Sequence, residues 1–98
     1  MGFRYELSKL AIQDIDNIWE YTLKKWSRSQ ANKYYKEIFR AIDSICNNPE
    51  LGKSFIELET DHRIFSVRSH LIVYKIINDK IFVDRILHER MNIDNLEI

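Results

Sequence analysis

The sequence is poor in the residues that interrupt regular structure. Its 98 residues include two glycines, one proline and one cysteine. So few turn-forming residues exclude a disordered or loop-rich chain and predict long elements with few connections. The single cysteine, Cys46, excludes an internal disulfide. It falls on a helical apolar stripe, where we expect it to act as a small buried apolar residue.

An excess of charge of either sign is also missing, because 15 basic side chains balance 15 acidic ones. Nucleic-acid binders usually carry a basic excess, so no direct sequence-specific nucleic-acid binding is expected. No run approaches the roughly 20 apolar residues that cross a bilayer. The opening residues MGFRYELS show neither a signal segment nor a myristoylation pattern. We therefore expect a cytoplasmic protein that makes no membrane contact.

The apolar periodicity changes early in the chain. Residues 3–7, FRYEL, alternate apolar and polar side chains, which predicts a half-buried strand. Ser8 follows as a candidate N-cap for a helix over residues 9–26. The apolar stripe of that helix recurs at helical spacing. It comprises Ala11, Ile15, Ile18, Thr22 and Trp26.

A second helix is predicted immediately after the first. Ser27 and Gln30 fit a capping box, and the helix should stop near Asn47 because Asn48 precedes Pro49. Its apolar stripe comprises Ala31, Tyr35, Ile38, Ile42 and Ile45. Since only about two residues join the helices, they should form an antiparallel hairpin with facing stripes.

The rest of the chain reads as strands. Residues 50–61 predict a loop with a short extended piece at 54–58, and strands are expected at 63–67, 71–77 and 80–87. Asn78 and Asp79 predict a two-residue hairpin turn. The fold class is α+β, a single domain over 1–98 with element order β-α-α-β-β-β. Its helical hairpin packs on one face of a small, mainly antiparallel sheet.

The last two strands are apolar on both faces. Strand 71–77 is apolar at nearly every position, and 81–87 carries five apolar residues. Such strands need cover on both sides. One helical layer covers only one, so we expect a protein partner to cover the other.

Candidate chemistry is sparse. Three histidines near three different strand ends and one cysteine on a helix offer no short-spaced ligand pair, so no metal or cofactor is expected. His88 is a possible general base, but Arg85 lies three residues before it, and on a flat strand the two face opposite sides. The alternative for this pair is structural: Arg85 pairs with a carboxylate and His88 caps the strand end.

Two further groups have a structural and a functional interpretation. Arg63 and Arg68 bracket a strand and are candidates for a partner-facing surface, or else solvated strand-edge arginines. Four aromatic side chains on or beside the helix stripes suit core packing better than base stacking. These are Trp19, Trp26, Tyr34 and Tyr35.

Five segments together resemble the ParE branch of the RelE/ParE toxins of type II toxin–antitoxin systems. YELSKLAIQDIDNIWEYT and QANKYYKEI are similar to the first strand and the two helices of that family. NNPELGK is similar to the following turn, HRIFSVRSHLIVYKI to its hairpin, and RILHERM to its final strand. The resemblance covers about residues 3–92 and implies the same fold as the periodicity.

The resemblance also implies a function. ParE-type toxins of plasmid stabilisation systems bind and poison DNA gyrase, and a cognate antitoxin neutralises them. An alternative within the superfamily is a RelE-type ribosome-dependent mRNA endoribonuclease, and a third is a non-toxic homologue that only forms complexes. We expect target binding without catalysis through the region from Arg85 to Met91. The target-binding candidates are Arg63, Arg68, Arg85, His88, Arg90 and Met91.

Overall fold

A computed structural model describes residues 2–54 and 61–90 of the chain. The elements are β1 Arg4–Leu7, α1 Lys9–Lys25, α2 Arg28–Asn47, β2 Lys53–Ser54, β3 Arg63–Val67, β4 His70–Ile77 and β5 Lys80–His88. This order confirms the predicted β-α-α-β-β-β arrangement and adds the two-residue strand β2. Of the predicted extended piece at 54–58, Ser54 lies in β2, and residues 55–58 lie outside the described residues.

Serine caps begin both helices where the sequence placed them. The hydroxyl of Ser8 accepts a hydrogen bond from the backbone N–H of Ala11 at 3.0 Å, and Ser27 accepts one from Gln30 at 3.1 Å. Each cap satisfies a backbone donor that the first helical turn leaves free. Ser8 also donates to the carbonyl of Asp84 at 2.6 Å, which fastens the start of α1 to β5.

The sheet is a mixed, open sheet of five strands in the order β1-β5-β4-β3-β2. Among the described strands, the β1–β5 pair is parallel and the other three pairs are antiparallel. Asn78 and Asp79 form the β4–β5 turn with φ angles of 47° and 61°. Two successive residues with positive φ define the hairpin turn that matches the twist of its strands, so the predicted turn is confirmed.

The core lies between the helical hairpin and one face of the sheet. Its buried side chains include Ile15 from α1, Ile38 and Ile42 from α2, and Tyr74 and Ile81 from the central strands. The helix stripes predicted most of the helical members of this cluster, and Cys46 is buried in it as expected. Among the described residues, no helix has the length and apolarity needed to span a membrane.

A β-bulge interrupts the pairing of the two central strands. Val73 pairs with Arg85 and Tyr74 with Val83, so Asp84 is the extra residue. Its carboxylate pairs with His62, which is buried at the entrance to β3. The bulge therefore gives Asp84 two contacts, one through its carbonyl to Ser8 and one through its side chain to His62.

The sheet face opposite the helices is less open than the sequence predicts. Val73 and Leu87 alternate along their strands with members of the helix-facing core, so they point to that opposite face. Each is only 1% exposed within the single chain. The expectation that this face waits for a partner is therefore wrong at its centre, because apolar strands predict a need for cover but not its source.

Candidate functional site

Arg85 is engaged within the chain by the first helix. Its guanidinium donates to both carboxylate oxygens of Asp14, at 2.8 and 3.0 Å, and the backbone N–H of Ile86 donates to the same carboxylate at 2.9 Å. The bond to Asp14 raises the pKa of Arg85. The structural interpretation of Arg85, a pair with a nearby carboxylate, is confirmed.

His88 and Arg90 form the exposed end of the RILHERM segment. Nδ1 of His88 accepts a hydrogen bond from the backbone N–H of Arg90 at 3.1 Å, so His88 caps the strand end as predicted. Arg85 and His88 do not share one site, because Arg85 contacts Asp14 and His88 turns towards His70. Met91 lies outside the described residues.

Arg68 occupies the turn between β3 and β4 with a positive φ of 52°. Its guanidinium forms a two-pronged pair with Glu37 on α2, in which the Nη2–Oε1 distance is 2.8 Å. That pairing lowers the pKa of Glu37 and raises the pKa of Arg68. The side chain of Arg68 nevertheless remains 61% exposed, so the pair sits at the surface.

Arg63 holds a loop through hydrogen bonds to backbone carbonyls. It donates to the carbonyl of Gly52 at 2.6 Å and more weakly to that of Glu50 at 3.4 Å. The hydroxyl of Tyr74 ties the same loop, since it donates to the Pro49 carbonyl at 2.7 Å and accepts from the Gly52 N–H at 2.8 Å. Arg63 therefore helps to stabilise the 49–52 loop.

A cleft of about 680 Å³ opens between the helical hairpin and the β3–β4 turn. It combines aromatic, cationic and imidazole side chains from four elements. Its main lining residues are Tyr21, Trp26, Lys33, Tyr34, Arg68, His70 and His88. A volume of this size suits a small ligand or a few side chains of a partner. The cleft brings Arg68 and His88 to one place, although the sequence separates them by 20 residues.

Two histidines and a tyrosine meet at the floor of this cleft. The sheet register pairs His70 with His88, and their rings pack edge to face with centroids 5.3 Å apart. Nδ1 of His70 is hydrogen-bonded to the hydroxyl of Tyr34, which also donates to the Val67 carbonyl at 3.1 Å. The three histidines lie at three different strand ends, as predicted, and the antiparallel register of β4 and β5 brings two of these ends together.

Burial shifts the acid–base properties of this cluster. Burial, followed by the charge of His88, lowers the pKa of His70. Burial also raises the pKa of Tyr34, against a backbone hydrogen bond from Ser69 that lowers it. Both shifts favour the neutral form of the group at neutral pH, so the floor of the cleft carries little charge of its own.

Two exposed aromatic side chains form the outer wall of the cleft. Trp26 is 71% exposed and Tyr21 is 62% exposed. The prediction that Trp26 packs in the core is wrong, because Trp26 is the C-cap of α1, with φ −123° and ψ −85°, and leaves the helical stripe. Tyr35 is also more exposed than predicted, at 44%, and lies against Phe39 outside the cleft.

Comparisons with known proteins give a consistent result. A family model described as the ParE toxin of the type II toxin–antitoxin system parDE matches residues 5–93. The protein called Toxin ParE1 from Mycobacterium tuberculosis is 36% identical over 95 residues, which cover 96% of this chain and 97% of that protein. Toxin ParE1 from Caulobacter vibrioides is 32% identical over 88 residues, covering 90% and 91%.

Solved structures share the fold at low sequence identity. A structure described as the chromosomal ParDE TA system from P. aeruginosa matches with a TM-score of 0.77 and 13% identity, over 89% of this chain and 96% of that one. One described as the toxin–antitoxin complex RelBE2 from Mycobacterium tuberculosis matches with a TM-score of 0.65 and 12% identity, over 90% and 99%. These likenesses support the fold that periodicity predicted.

Proposed function

This chain belongs to the ParE toxin family of type II toxin–antitoxin systems, and from that premise we propose that it inhibits DNA gyrase by binding. It catalyses no reaction of its own in this proposal, and a cognate antitoxin neutralises it. Residues 1–98 act as one toxin domain in the cytoplasm, within a plasmid stabilisation system. Gyrase is the target that the resemblance of the sequence to ParE toxins implies.

The observation that best supports binding over catalysis is the engagement of the candidate arginines. Arg85 is paired with Asp14, Arg68 with Glu37, and Arg63 with backbone carbonyls. A nuclease needs cations directed at the charge that develops on a phosphate in the transition state. These three guanidinium groups instead serve contacts within the chain, which favours a binding function over RNA cleavage.

We propose that the exposed end of the RILHERM segment contacts the target. His88 and Arg90 are exposed there, and Arg90 uses only its backbone N–H in the described contact with His88. Arg68 adds an exposed guanidinium edge at the neighbouring turn. Arginine is enriched among residues that anchor interfaces, because its planar group combines charge with a large contact area.

An antitoxin partner is supported by the structural relatives. Two solved structures that share this fold are described as a toxin–antitoxin system and a toxin–antitoxin complex. For this chain, the partner is the protein encoded by the reading frame that adjoins the toxin gene. Co-expression of that protein should restore growth to cells that produce the toxin.

Purified toxin and purified gyrase test the target directly. The toxin should block ATP-dependent supercoiling and accumulate cleaved DNA that remains attached to gyrase. Cells producing the toxin should filament and induce a DNA damage response while their mRNA stays intact. Normal supercoiling at a large excess of folded toxin would reject gyrase as the target.

Alanine substitutions test the proposed contact residues. His88→Ala and Arg90→Ala should lose gyrase inhibition while keeping a wild-type melting transition. Arg40→Ala is the matched control, because Arg40 is an exposed arginine on α2 outside the cleft. If His88→Ala and Arg90→Ala inhibit as well as Arg40→Ala does, the contact surface lies elsewhere.

A RelE-type mRNA nuclease remains a second candidate function, favoured by the cluster of Tyr34, His70 and His88. Imidazoles supply the proton transfers that RNA cleavage needs, and the lowered pKa of His70 suits a neutral base. Transcript cleavage mapped by primer extension in toxin-producing cells would identify this activity. Its loss in His70→Ala, with the fold retained, would assign it to the cluster.

A further inference from the structure

The strand β1 forms one end of the sheet, and among the described strands it pairs only with β5. Its first three residues, Arg4, Tyr5 and Glu6, are all exposed. The strand at the other end, β2, has two residues, so β1 is the longer of the two described edges. An exposed edge presents backbone N–H and C=O groups with which another strand can pair. The outer edge of β1 is therefore a candidate site for strand addition.

The hydrogen bonds to β5 determine which backbone groups of β1 face outward. The N–H of Ser8 donates to the carbonyl of Val83 at 3.0 Å, and Leu7 is the residue in register with Val83. In a parallel pair, alternate residues turn both of their backbone groups towards the neighbouring strand. Glu6 therefore directs its N–H and C=O towards β5, as Ser8 directs its N–H. Tyr5 and Leu7 direct theirs to the outer edge.

These outward groups complement those of a second, antiparallel copy of β1. When the two copies of Tyr5 lie opposite each other, each N–H meets the carbonyl of the other copy, as in a hydrogen-bonded pair of an antiparallel ladder. The N–H of Leu7 then meets the carbonyl of Phe3 in the other copy. The N–H of Phe3 is already satisfied, because it donates to the Cys46 carbonyl at 2.8 Å within its own chain.

The side chains select this register over its neighbours. With Tyr5 opposite Tyr5, Arg4 of each copy lies opposite Glu6 of the other, and such opposite-charge pairs stabilise a ladder. A shift of two residues sets Arg4 against Arg4 or Glu6 against Glu6. A shift of one residue sets polar side chains against helix-facing ones. Among the described residues Arg4 has no ion-pair partner within its own chain.

The charges that adjoin the edge favour a second copy over a strongly acidic or basic partner. Glu6 is paired with Lys80 of β5 at 3.2 Å, but both side chains stay exposed, so Glu6 can accept a second cation. Asp43 of α2 and Arg4 line one groove of about 610 Å³ beside the edge. These acidic and basic groups balance in sign. Two further exposed cations of α2 do not line that groove, namely Lys36 and Arg40.

An aromatic strip on the helix side of the edge supplies apolar contact area. The ring centroids of Tyr5 and Phe39 lie 6.4 Å apart, and those of Phe39 and Tyr35 lie 4.8 Å apart. Tyr5 is 40% exposed and Tyr35 is 44% exposed. Because opposite residues of an antiparallel pair point to the same face, the two Tyr5 rings become neighbours and cover part of each other's exposed surface.

We propose that two copies of this chain associate through antiparallel β1 strands, with Tyr5 at the two-fold axis and Arg4 opposite Glu6. The two sheets then form one continuous sheet. The proposal does not depend on the proposed function, and it leaves His88 open, because β1 pairs with the Lys80–Val83 end of β5. So short a strand predicts a weak, reversible dimer with a Kd of roughly 0.1 mM.

Sedimentation velocity of the full-length chain over a range of concentrations tests the association. The sedimentation coefficient of the wild type should rise from that of a monomer towards that of a dimer. Arg4→Glu sets acidic side chains against each other, and Glu6→Arg sets basic ones against each other, so each should weaken the dimer roughly tenfold or more. Both positions are exposed, so both variants should keep the wild-type melting transition.

An equimolar mixture of the two variants provides the decisive measurement. In the mixed pair, each substituted side chain lies opposite one of the other sign, so association should return to near wild-type strength at low salt and weaken at high salt. The matched controls are Arg28→Glu and Glu20→Arg, at exposed positions on the helices outside the groove. Each control alone should dimerise as the wild type does, and mixing the two should change nothing.

Three results would overturn the proposal. A wild-type chain that is still monomeric at roughly 1 mM would reject the dimer, whether the edge is then open or covered by a different protein. A dimer that persists in Arg4→Glu and Glu6→Arg would place the interface on another surface. Variants that are monomeric alone and do not associate when mixed would reject the register centred on Tyr5.

Discussion

Asp14 on α1 and Arg85 on β5 form a two-pronged ion pair that joins the helical hairpin to the sheet. The same carboxylate accepts the backbone N–H of Ile86, a donor that no strand satisfies. β1 pairs with β5 only as far as Val83, so Asp14 replaces a neighbouring strand beyond that point. One side chain thus completes the edge of the sheet and positions Arg85.

Substitution of Asp14 should therefore destabilise the protein more than substitution of Arg85. Asp14→Ala leaves a guanidinium and a backbone N–H without their acceptor, and we expect a loss of about 2–3 kcal/mol in the free energy of unfolding. Arg85→Ala keeps the bond from Ile86 and should lose about 1–2 kcal/mol. Urea denaturation measures both. Asp16→Ala, at an exposed position on the same helix, should change stability by less than about 0.5 kcal/mol.

The double variant checks that the two residues act through each other. Asp14→Ala with Arg85→Ala should cost clearly less than the sum of the single losses, because the shared contact is counted twice in that sum. Strict additivity would show that the pair contributes nothing beyond packing.

Tyr74→Phe should destabilise the protein although it removes a single oxygen. The Tyr74 hydroxyl is buried and holds both the Pro49 carbonyl and the Gly52 N–H, so phenylalanine leaves two polar groups without a partner. We expect a loss of roughly 2–3 kcal/mol in the free energy of unfolding. Tyr35→Phe is the control and should be neutral. A neutral Tyr74→Phe would mean that other groups can satisfy the 49–52 loop.

Asp79→Gly should stabilise the β4–β5 hairpin. Asp79 has a φ of 61°, a conformation in which a Cβ is strained and glycine is not. Asn-Gly is also the preferred pair for this turn, and we expect a gain of about 0.5 kcal/mol. Asp79→Val should lose stability at the same position, since a branched Cβ tolerates positive φ least. A thermal shift in the same direction for both variants would contradict this account.

Stability should fall as the pH is lowered through the titration of His70. Burial and the charge of His88 lower its pKa below the ordinary value of 6.5, while the charges of Glu89 and Asp14 oppose that shift. The unfolded chain therefore binds the proton at a higher pH than the folded protein does. The contribution of His70 to the free energy of unfolding is complete above about pH 6.5, and it declines as the pH falls from there to the lowered pKa of the folded state.

His70→Gln provides the control for that pH dependence. Its unfolding free energy should lose the part of the pH dependence that lies just below pH 6.5, while the dependence from carboxyl groups at lower pH remains. The chemical shift of the His70 ring proton in the native protein should titrate below pH 6.5. A titration above that value would show that the site favours the charged imidazole.

Local pattern predicted most of the fold. Ser8 and Ser27 cap the helices where the sequence placed them, β3 has its predicted bounds, and Asn78 and Asp79 form the expected turn. These features depend on residues close in sequence, whose hydrogen bonds and backbone preferences act locally. The strand β2 was not predicted, because two residues are too short for a period to show.

The candidate site was predicted only in part. The structural roles of Arg85 and His88 were predicted. The cap formed by His88 depends on residues close in sequence. A carboxylate partner for Arg85 could be expected because the sequence contains many acidic residues. Asp14, the partner of Arg85, and Glu37, the partner of Arg68, were not predicted. They lie 71 and 31 residues away from these arginines in the chain. Trp26 lies at the end of its helix, where the apolar stripe has no further member. That position was the signal in the sequence that its side chain is not part of the core.

The sequence by itself determined the order of the elements, the helix caps, the β4–β5 turn and the family, because these depend on spacing and residue type along the chain. The tertiary structure alone decided the bulge at Asp84, the meeting of Tyr34, His70 and His88, and the exposure of Trp26. The reason is physical: strand register and helix placement bring together residues that are distant in sequence, and no local preference encodes which side chains then touch.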